Sequence, residues 1–247
     1  MIKSWIKKIY AYMMFRPLRF SSGYIKLREL FNYTEREKMI LDIMDFARSN
    51  RLEGDYLEFG VYKCGTLIPA YHFSKSMGKN LDKMRFYGFD SFEGLPEVKK
   101  SDNEGFKHFS KGDYSNSLPR VVNLLKKSKV NMKRVKLVKG WYNQVLNSEL
   151  KKKLPIKKVA VVWIDCDLYE STMPVLDFIT PYLQDGTILV FDDWLCFRGN
   201  PEQGEQKAFS EWLKKNKKIY AIPLRKSYWG GQAFIIRMNS KIKYGNN

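Results

Sequence analysis

The stretch WIDCDLYES places two carboxylates, Asp165 and Asp167, two residues apart, and a second pair, Asp192 and Asp193, begins 25 residues after Asp167. Four carboxylates in one crevice repel one another and hold on to protons unless a cation sits among them. An all-oxygen donor set favours a hard divalent ion, Mg²⁺, Mn²⁺ or Ca²⁺, over zinc, and an open coordination position could take two substrate oxygens. The alternative is that these acids cap helices or pair with lysine and arginine. That account serves for any one aspartate and poorly for all four. A second constellation lies upstream in Glu58-Phe-Gly60-Val61-Tyr-Lys-Cys64-Gly65-Thr66. Its glycines allow close backbone approach to a ligand and free the N–H groups of a following helix. The full G-x-G-x-x-G spacing is missing, so no dinucleotide fingerprint is supported. Asp90, at the end of the next apolar run, is placed to accept hydrogen bonds from a ribose diol, and the two features together suggest an adenosine moiety.

These residues can meet only if each ends a strand of one sheet. Apolar runs over 55–60, 84–90, 135–139, 159–165 and 188–191 read as strands. Helical patterns separate them. Thr34 and Glu37 form a capping box ahead of a helix carrying Met39, Ile40, Ile43, Met44 and Ala47, and further helices are expected over 66–78, 118–127 and 172–183. Continuous apolar strands alternating with helices imply a parallel sheet covered on both faces. The runs over 219–224 and 233–238 are joined through Gly230-Gly231, too short for a parallel crossover, and must pair antiparallel. The expected fold is therefore a Rossmann-like, doubly wound α/β sheet of seven strands, mostly parallel and ending in an antiparallel hairpin. It forms one domain over 34–247. In such sheets ligands bind beyond the carboxyl ends of the strands, where the acids fall.

A length of 247 residues suits one such domain, and 44% hydrophobic residues exclude global disorder. Three widely spaced cysteines, Cys64, Cys166 and Cys196, support neither a disulfide framework nor a zinc ribbon. No apolar run approaches the roughly 20 residues of a membrane span, and no secretory signal is read, so a cytoplasmic protein is expected. Lys and Arg number 44 against 26 acids, a net charge of +18, which points to an anionic partner without naming it. Ile2, Trp5, Ile6, Ile9 and Met13 make an amphipathic helix within a basic extension over 1–33, suited to peripheral membrane contact or to packing against protein. Between Tyr114 and Ser148 stand eight basic and no acidic residues, a solvated face or a docking surface for an anionic substrate.

In LEFGVYKCGT, YGFDSFEGLP, LVKGWY, WIDCDLYESTMPVL and ILVFDDW, in that order, the sequence resembles the macrocin O-methyltransferase family. These are class I S-adenosylmethionine-dependent enzymes that methylate sugar hydroxyls. The resemblance runs from about Thr34 to Met238. It implies S-adenosylmethionine over the first strand ends, with Glu58, Gly60, Val61, Gly65 and Thr66 near its methionine end. Asp90 would then hold the ribose, Ser91 and Phe92 would flank the nucleoside, and Gly140 and Trp141 would lie at the adenine. Asp165 would border the cofactor and, with Asp192 and Asp193, hold Mg²⁺, leaving Asp167 as general base beside it. Two positions depart from the family: many relatives carry a glycine where Cys64 stands, which is expected to narrow the methionine pocket, and a tyrosine where Trp194 stands, which is expected to alter the acceptor side.

The sulfonium already makes the methyl group electrophilic, so the protein must orient an acceptor oxygen and help it lose its proton. Two vicinal oxygens on the cation would gain acidity and a fixed direction. His108, in the long loop after Asp90, is a rival base, and His72 reads as structural. The expected acceptor is a small sugar, phosphate-bearing in view of the charge, and the chain is expected to form a homo-oligomer. RNA or a phenolic acceptor, and a non-enzymatic membrane-surface role, are the alternatives. No nucleic-acid-binding module is read, and four convergent aspartates do not serve a simple anion binder.

Overall fold

Thr34 opens the first of the described helices as the sequence predicts. Its hydroxyl accepts from the Glu37 amide while the Glu37 carboxylate accepts from the Thr34 amide, closing the box ahead of α1, Glu35–Ser49. The computed structural model describes residues 33–78, 80–99, 102, 105, 108–227 and 230–238. The expected N-terminal amphipathic helix lies outside them.

After α1 come β1 (Asp55–Phe59), α2 (Leu67–Ser76), β2 (Phe86–Asp90), α3 (Leu118–Lys127) and β3 (Val135–Lys139). Two short helices, α4 (Tyr142–Val145) and α5 (Ser148–Lys153), precede β4 (Val159–Ile164) and α6 (Tyr169–Ile179). The last described elements are β5 (Ile188–Phe191), α7 (Gly204–Lys215), β6 (Ile219–Lys226) and β7 (Gln232–Met238). One seven-stranded sheet results, in the order β3-β2-β1-β4-β5-β7-β6. The pairs among β1 to β5 are parallel, and β7 runs antiparallel to both β5 and β6, so the expected terminal hairpin is present.

Alternate side chains feed two apolar layers. Along β5, Ile188 and Val190 belong to the apolar layer that also holds α1, α2 and α3, whereas Leu189 and Phe191 belong to the layer that holds α6 and α7. Burial on both faces explains why these strands read as unbroken apolar runs. Several elements differ from the sequence expectation, among them the short helices α4 and α5, which it does not contain. The helix expected over 172–183 starts at Tyr169 and yields at Thr180 to a 3-10 turn, because Pro181 cannot continue the α-helical ladder. Helix α7 has no counterpart in that expectation, although Ala208, Phe209 and Trp212 carry its spacing and are buried. Among the described residues no helix is long and apolar enough to cross a membrane.

The strand order reverses between β1 and β4, where the chain steps from β1 outward to β2 and β3 and then back to β4. Crossovers on the two sides then leave on opposite faces, which opens a crevice at the carboxyl edge.

Candidate active site

Each central strand extends its neighbour's hydrogen-bond ladder one step past its own end. Gly60 N–H donates to the Phe89 carbonyl at 3.0 Å, Asp165 N–H to Phe59 at 2.8 Å, Asp192 N–H to Ile164 at 2.9 Å and Gly140 N–H to Asp90 at 2.9 Å. The turns beyond are thereby fixed along the crevice. Gly60 has a φ of +92°, and a Cβ there would lie 2.0 Å from the Asp165 carbonyl oxygen, so only glycine lets the β1 and β4 turns close on each other. Tyr62, Cys64, Phe92 and Asp167 also adopt left-handed backbone conformations, with φ of 40°, 58°, 57° and 58°. Such conformations in non-glycine residues concentrate at functional turns held by their surroundings. Asp90 does part of the holding: Oδ2 accepts from the Val61 and Tyr62 amides at 2.8 and 3.1 Å, and Oδ1 from the Phe92 amide at 2.7 Å.

Between these turns lies a cavity of about 610 Å³, a size that suits a small-molecule ligand. Of the residues expected at a cofactor, Gly60, Asp90, Ser91, Gly140, Trp141 and Asp165 line it. Glu58, Val61, Gly65, Thr66 and Phe92 do not. Glu58 is wholly buried in β1, two residues before Gly60, where its Oε2 accepts from the Tyr56 hydroxyl at 2.7 Å. Its Oε1 is buried with no partner in good hydrogen-bond geometry, and burial, opposed by the Tyr56 and Thr66 hydroxyls, pushes the carboxyl up to about 8.

All four aspartates line the cavity. The structure brings Asp165, Asp167 and Asp193 together, one carboxylate oxygen from each within 4.8 Å of the others. Asp167 therefore stands where Asp192 was expected. Asp192 turns instead to Arg36 on the first turn of α1, whose Nη2 donates to its Oδ2. Burial and the neighbouring carboxylates hold Asp165, Asp167 and Asp193 well above the usual range. Asp192 is also raised by burial, against the opposing pull of the Arg36 guanidinium. Asp193 Oδ2 is buried and unpartnered. Three crowded acids with an unsatisfied oxygen fit a hard divalent cation by donor type and by charge.

The outer wall is formed by Leu95, Pro96, Lys99, Lys111 and Tyr114, which follow β2. Asp102 anchors it. This buried residue accepts from the amides of Tyr169 and Gly204, at the starts of α6 and α7, at 3.2 and 3.4 Å. Phe109 adds an apolar anchor against Leu168 and Phe197.

Other expectations are relocated. His108 is exposed, edge-on to Phe109 and off the cavity wall. His72 is buried, its Nε2 donating to the Ser128 carbonyl at 2.8 Å, which is a structural role. Cys64 is buried in the α1–α3 layer and does not line the cavity. Trp194 packs on Phe209 and Phe234, away from the cavity, because its ring completes an aromatic cluster under α7.

Arg36, Asp102 and Glu205 were not singled out from the sequence. Each acts on residues far along the chain, 156 positions in the case of Arg36 and Asp192. The available signal was indirect: an acid beside Gly204, opening a helix whose apolar spacing was legible.

A family model described as Macrocin-O-methyltransferase (TylF) matches residues 33–230. The 8-demethyl-8-(2,3-dimethoxy-alpha-L-rhamnosyl)-tetracenomycin-C 4'-O-methyltransferase of Streptomyces olivaceus is 30% identical over 145 residues, covering 57% of this chain and 53% of that protein. The demethyldecarbamoylnovobiocin O-methyltransferase of Streptomyces niveus is 27% identical over 172 residues, 65% of this chain and 60% of that one. The matches thus span between about half and three-fifths of these relatives' own lengths. The solved structure of the O-methyltransferase NovP superposes with a TM-score of 0.66 at 21% identity, over 83% of this chain and 80% of that one, a likeness of fold.

Proposed function

Since the chain belongs to the macrocin O-methyltransferase family, we propose that it transfers a methyl group from S-adenosylmethionine to a hydroxyl of a small sugar-bearing acceptor. The observation that carries this reading is the single cavity wall that runs from the Gly60, Asp90 and Gly140 turns to the clustered carboxylates of Asp165, Asp167 and Asp193. One side is suited to a nucleoside and the other to a polar, reacting oxygen.

Asp90 and Ser91 border the ribose in this reading, and Trp141 offers a face for the adenine. The orphaned Oε1 of Glu58 supports a place for the cofactor's α-ammonium at the base of the β1 turn. Asp165 and Asp193 would hold a divalent cation, with Asp192 joining them on leaving Arg36. When bound, the cation supplies Lewis-acid charge that makes an acceptor hydroxyl more acidic and fixes its direction. Asp167 takes the hydroxyl proton on its carboxylate as the oxygen attacks the methyl carbon, and the sulfur leaves with the electron pair of the broken bond. The loop tethered by Asp102 excludes water from that step. Lys99 and Lys111, on the outer wall, support an acceptor that carries phosphate.

Titration calorimetry with S-adenosylmethionine, followed by mass spectrometry of a nucleotide-sugar panel with and without chelator, tests the reading. Cofactor binding and a mass gain of one methyl group are expected, with turnover lost in chelator. Absence of cofactor binding by the folded chain would sink the methyltransferase reading; chelator-resistant turnover would remove the cation alone.

Glu58 provides a second expected outcome. With its folded-state pKa near 8 against an ordinary 4.5, it keeps its proton in the free chain at neutral pH. Its contribution to stability is full below about pH 4.5 and falls away as pH rises towards 8, with a slope of at most about 1.4 kcal/mol for each step of one in pH. An ammonium favours the carboxylate, so cofactor affinity should rise with pH over the same window as the proton is released. Glu58→Gln should flatten both slopes, seen by urea titration and calorimetry, and weaken the cofactor by about tenfold to a hundredfold. Unchanged affinity at every pH would remove Glu58 from the cofactor site.

A further inference from the structure

Resting on that reading, we propose that Glu205 is a positioning residue that sets the distance between the two acid-bearing turns. The β4–β5 ladder stops at Ile164 and Phe191, and the last bond between the two strands is Asp192 N–H to the Ile164 carbonyl at 2.9 Å. One residue later the acids begin, and strand pairing no longer fixes Asp165 and Asp167 relative to Asp193. Glu205 takes over there. From the first turn of α7, its Oε1 accepts from the Cys166 amide at 3.3 Å and its Oε2 from the Asp193 amide at 3.0 Å. Cys166 lies between Asp165 and Asp167, so one carboxylate grips the backbone of both turns.

The side chain suits this task. Glu205 is 1% exposed, so its two bonds are shielded from competing water. Both of its oxygens are committed to amides, which sets it apart from the trio whose oxygens converge. Its placement on the first turn of α7 brings the carboxyl within reach of both acid-bearing turns. Gly204 makes the placement possible: with φ of +53°, a Cβ there would lie 2.5 Å from the Phe197 ring and 3.2 Å from the Asp167 carbonyl. Residue 204 therefore packs directly against the Asp167 turn while residue 205 reaches past it. Partners of this kind that orient ligands without touching the metal commonly govern affinity by 10-fold to 100-fold.

Glu205→Gln separates bracing from general packing. The amide keeps the shape of the side chain, yet its nitrogen must face one of the two N–H groups, so one bond is lost. The expected result, on folded protein, is a loss of Mg²⁺ affinity of about 10-fold to 100-fold with S-adenosylhomocysteine affinity near that of wild type. Hydrogen exchange should quicken at the Cys166 and Asp193 amides and not in the middle of β1. Glu205→Asp, which keeps the carboxyl but is one methylene short, should move the same readouts in the same direction and serves if the glutamine variant does not fold. Glu202→Gln, an exposed change just before the same helix, should move none of them. Wild-type Mg²⁺ affinity together with unaltered exchange at both amides would overturn the proposal, as would equal losses of cation and cofactor binding. If the unaltered chain binds no divalent cation, the metal reading fails, and exchange at the two amides then decides for or against the brace.

Discussion

Asp167→Asn is expected to lower kcat for methyl transfer by about 10²-fold to 10⁴-fold, the range for loss of a positioned general base, while S-adenosylmethionine affinity stays near wild type. The substitution is close to isosteric and removes the ability to take a proton. Because Asp167 also lies within 4.8 Å of Asp165 and Asp193, cation affinity must be measured alongside. A base that is no ligand leaves Mg²⁺ binding intact. If affinity falls instead and high Mg²⁺ restores turnover, Asp167 is a ligand and the base is elsewhere. Asp193→Asn is the counterpart and should abolish Mg²⁺ binding. Both variants carry a stability signature of opposite sign to their loss of function. Burial and mutual repulsion raise Asp165, Asp167 and Asp193 together, so the free chain binds protons that its unfolded state releases. Stability in chelator should thus fall as pH rises above the ordinary carboxylate range, and removing one charge should recover about 1 to 2 kcal/mol of it in urea titrations. Lower stability of Asp167→Asn in chelator at neutral pH would contradict this electrostatic account.

Gly60→Ala should be equally damaging without removing any polar atom. A single methyl group there must occupy space 2.0 Å from the Asp165 carbonyl oxygen and adopt a φ of +92°. The expected cost is about 2 to 4 kcal/mol of stability from strain and overpacking. Displacing the Asp165 turn should further reduce turnover by about 100-fold or more, since misplacement by an ångström is enough for that. Gly65→Ala is the control. A Cβ at Gly65 meets nothing within 4 Å, and stability should change by no more than about 0.5 kcal/mol. Loss of cofactor affinity in Gly65→Ala alone would show that the ligand, rather than the protein, demands that glycine. Equal behaviour of the two alanine variants would contradict the steric argument.

Much of the frame was legible because burial on both faces leaves an unmistakable trace. Strand β3 and helix α3 occupy the residues their patterns indicate, and β4 is one residue shorter than its apolar run. The acids were legible as a group, since each follows a strand. Their division of labour was not. Asp192 and Asp193 are adjacent and chemically identical, and what separates them is the approach of Arg36 from α1 to the first and of Glu205 from α7 to the amide of the second. Glu205 lay in PEQGEQK, a run whose charge reads as solvent-exposed, and its burial depends on α7 folding back over the β4 and β5 turns. Local pattern reports what a residue's own element requires. Tertiary pairing across many tens of residues leaves no periodic mark.

The site is assembled from turns that the chain reaches at widely separated points: Arg36, Gly60, Asp90, Gly140, Asp165, Asp193 and Glu205. No contiguous fragment holds it, and parallel pairing brings its parts together only after long loops have closed. A ligand that fits therefore recognises the complete native chain and draws the folding equilibrium towards it by mass action. At a concentration 100 times its Kd, such a ligand adds about 2.7 kcal/mol. For a domain of this size that is a rise of about 5 to 10 °C in Tm. The unknown acceptor can accordingly be sought by thermal shift across a library of sugars, with no assay of turnover.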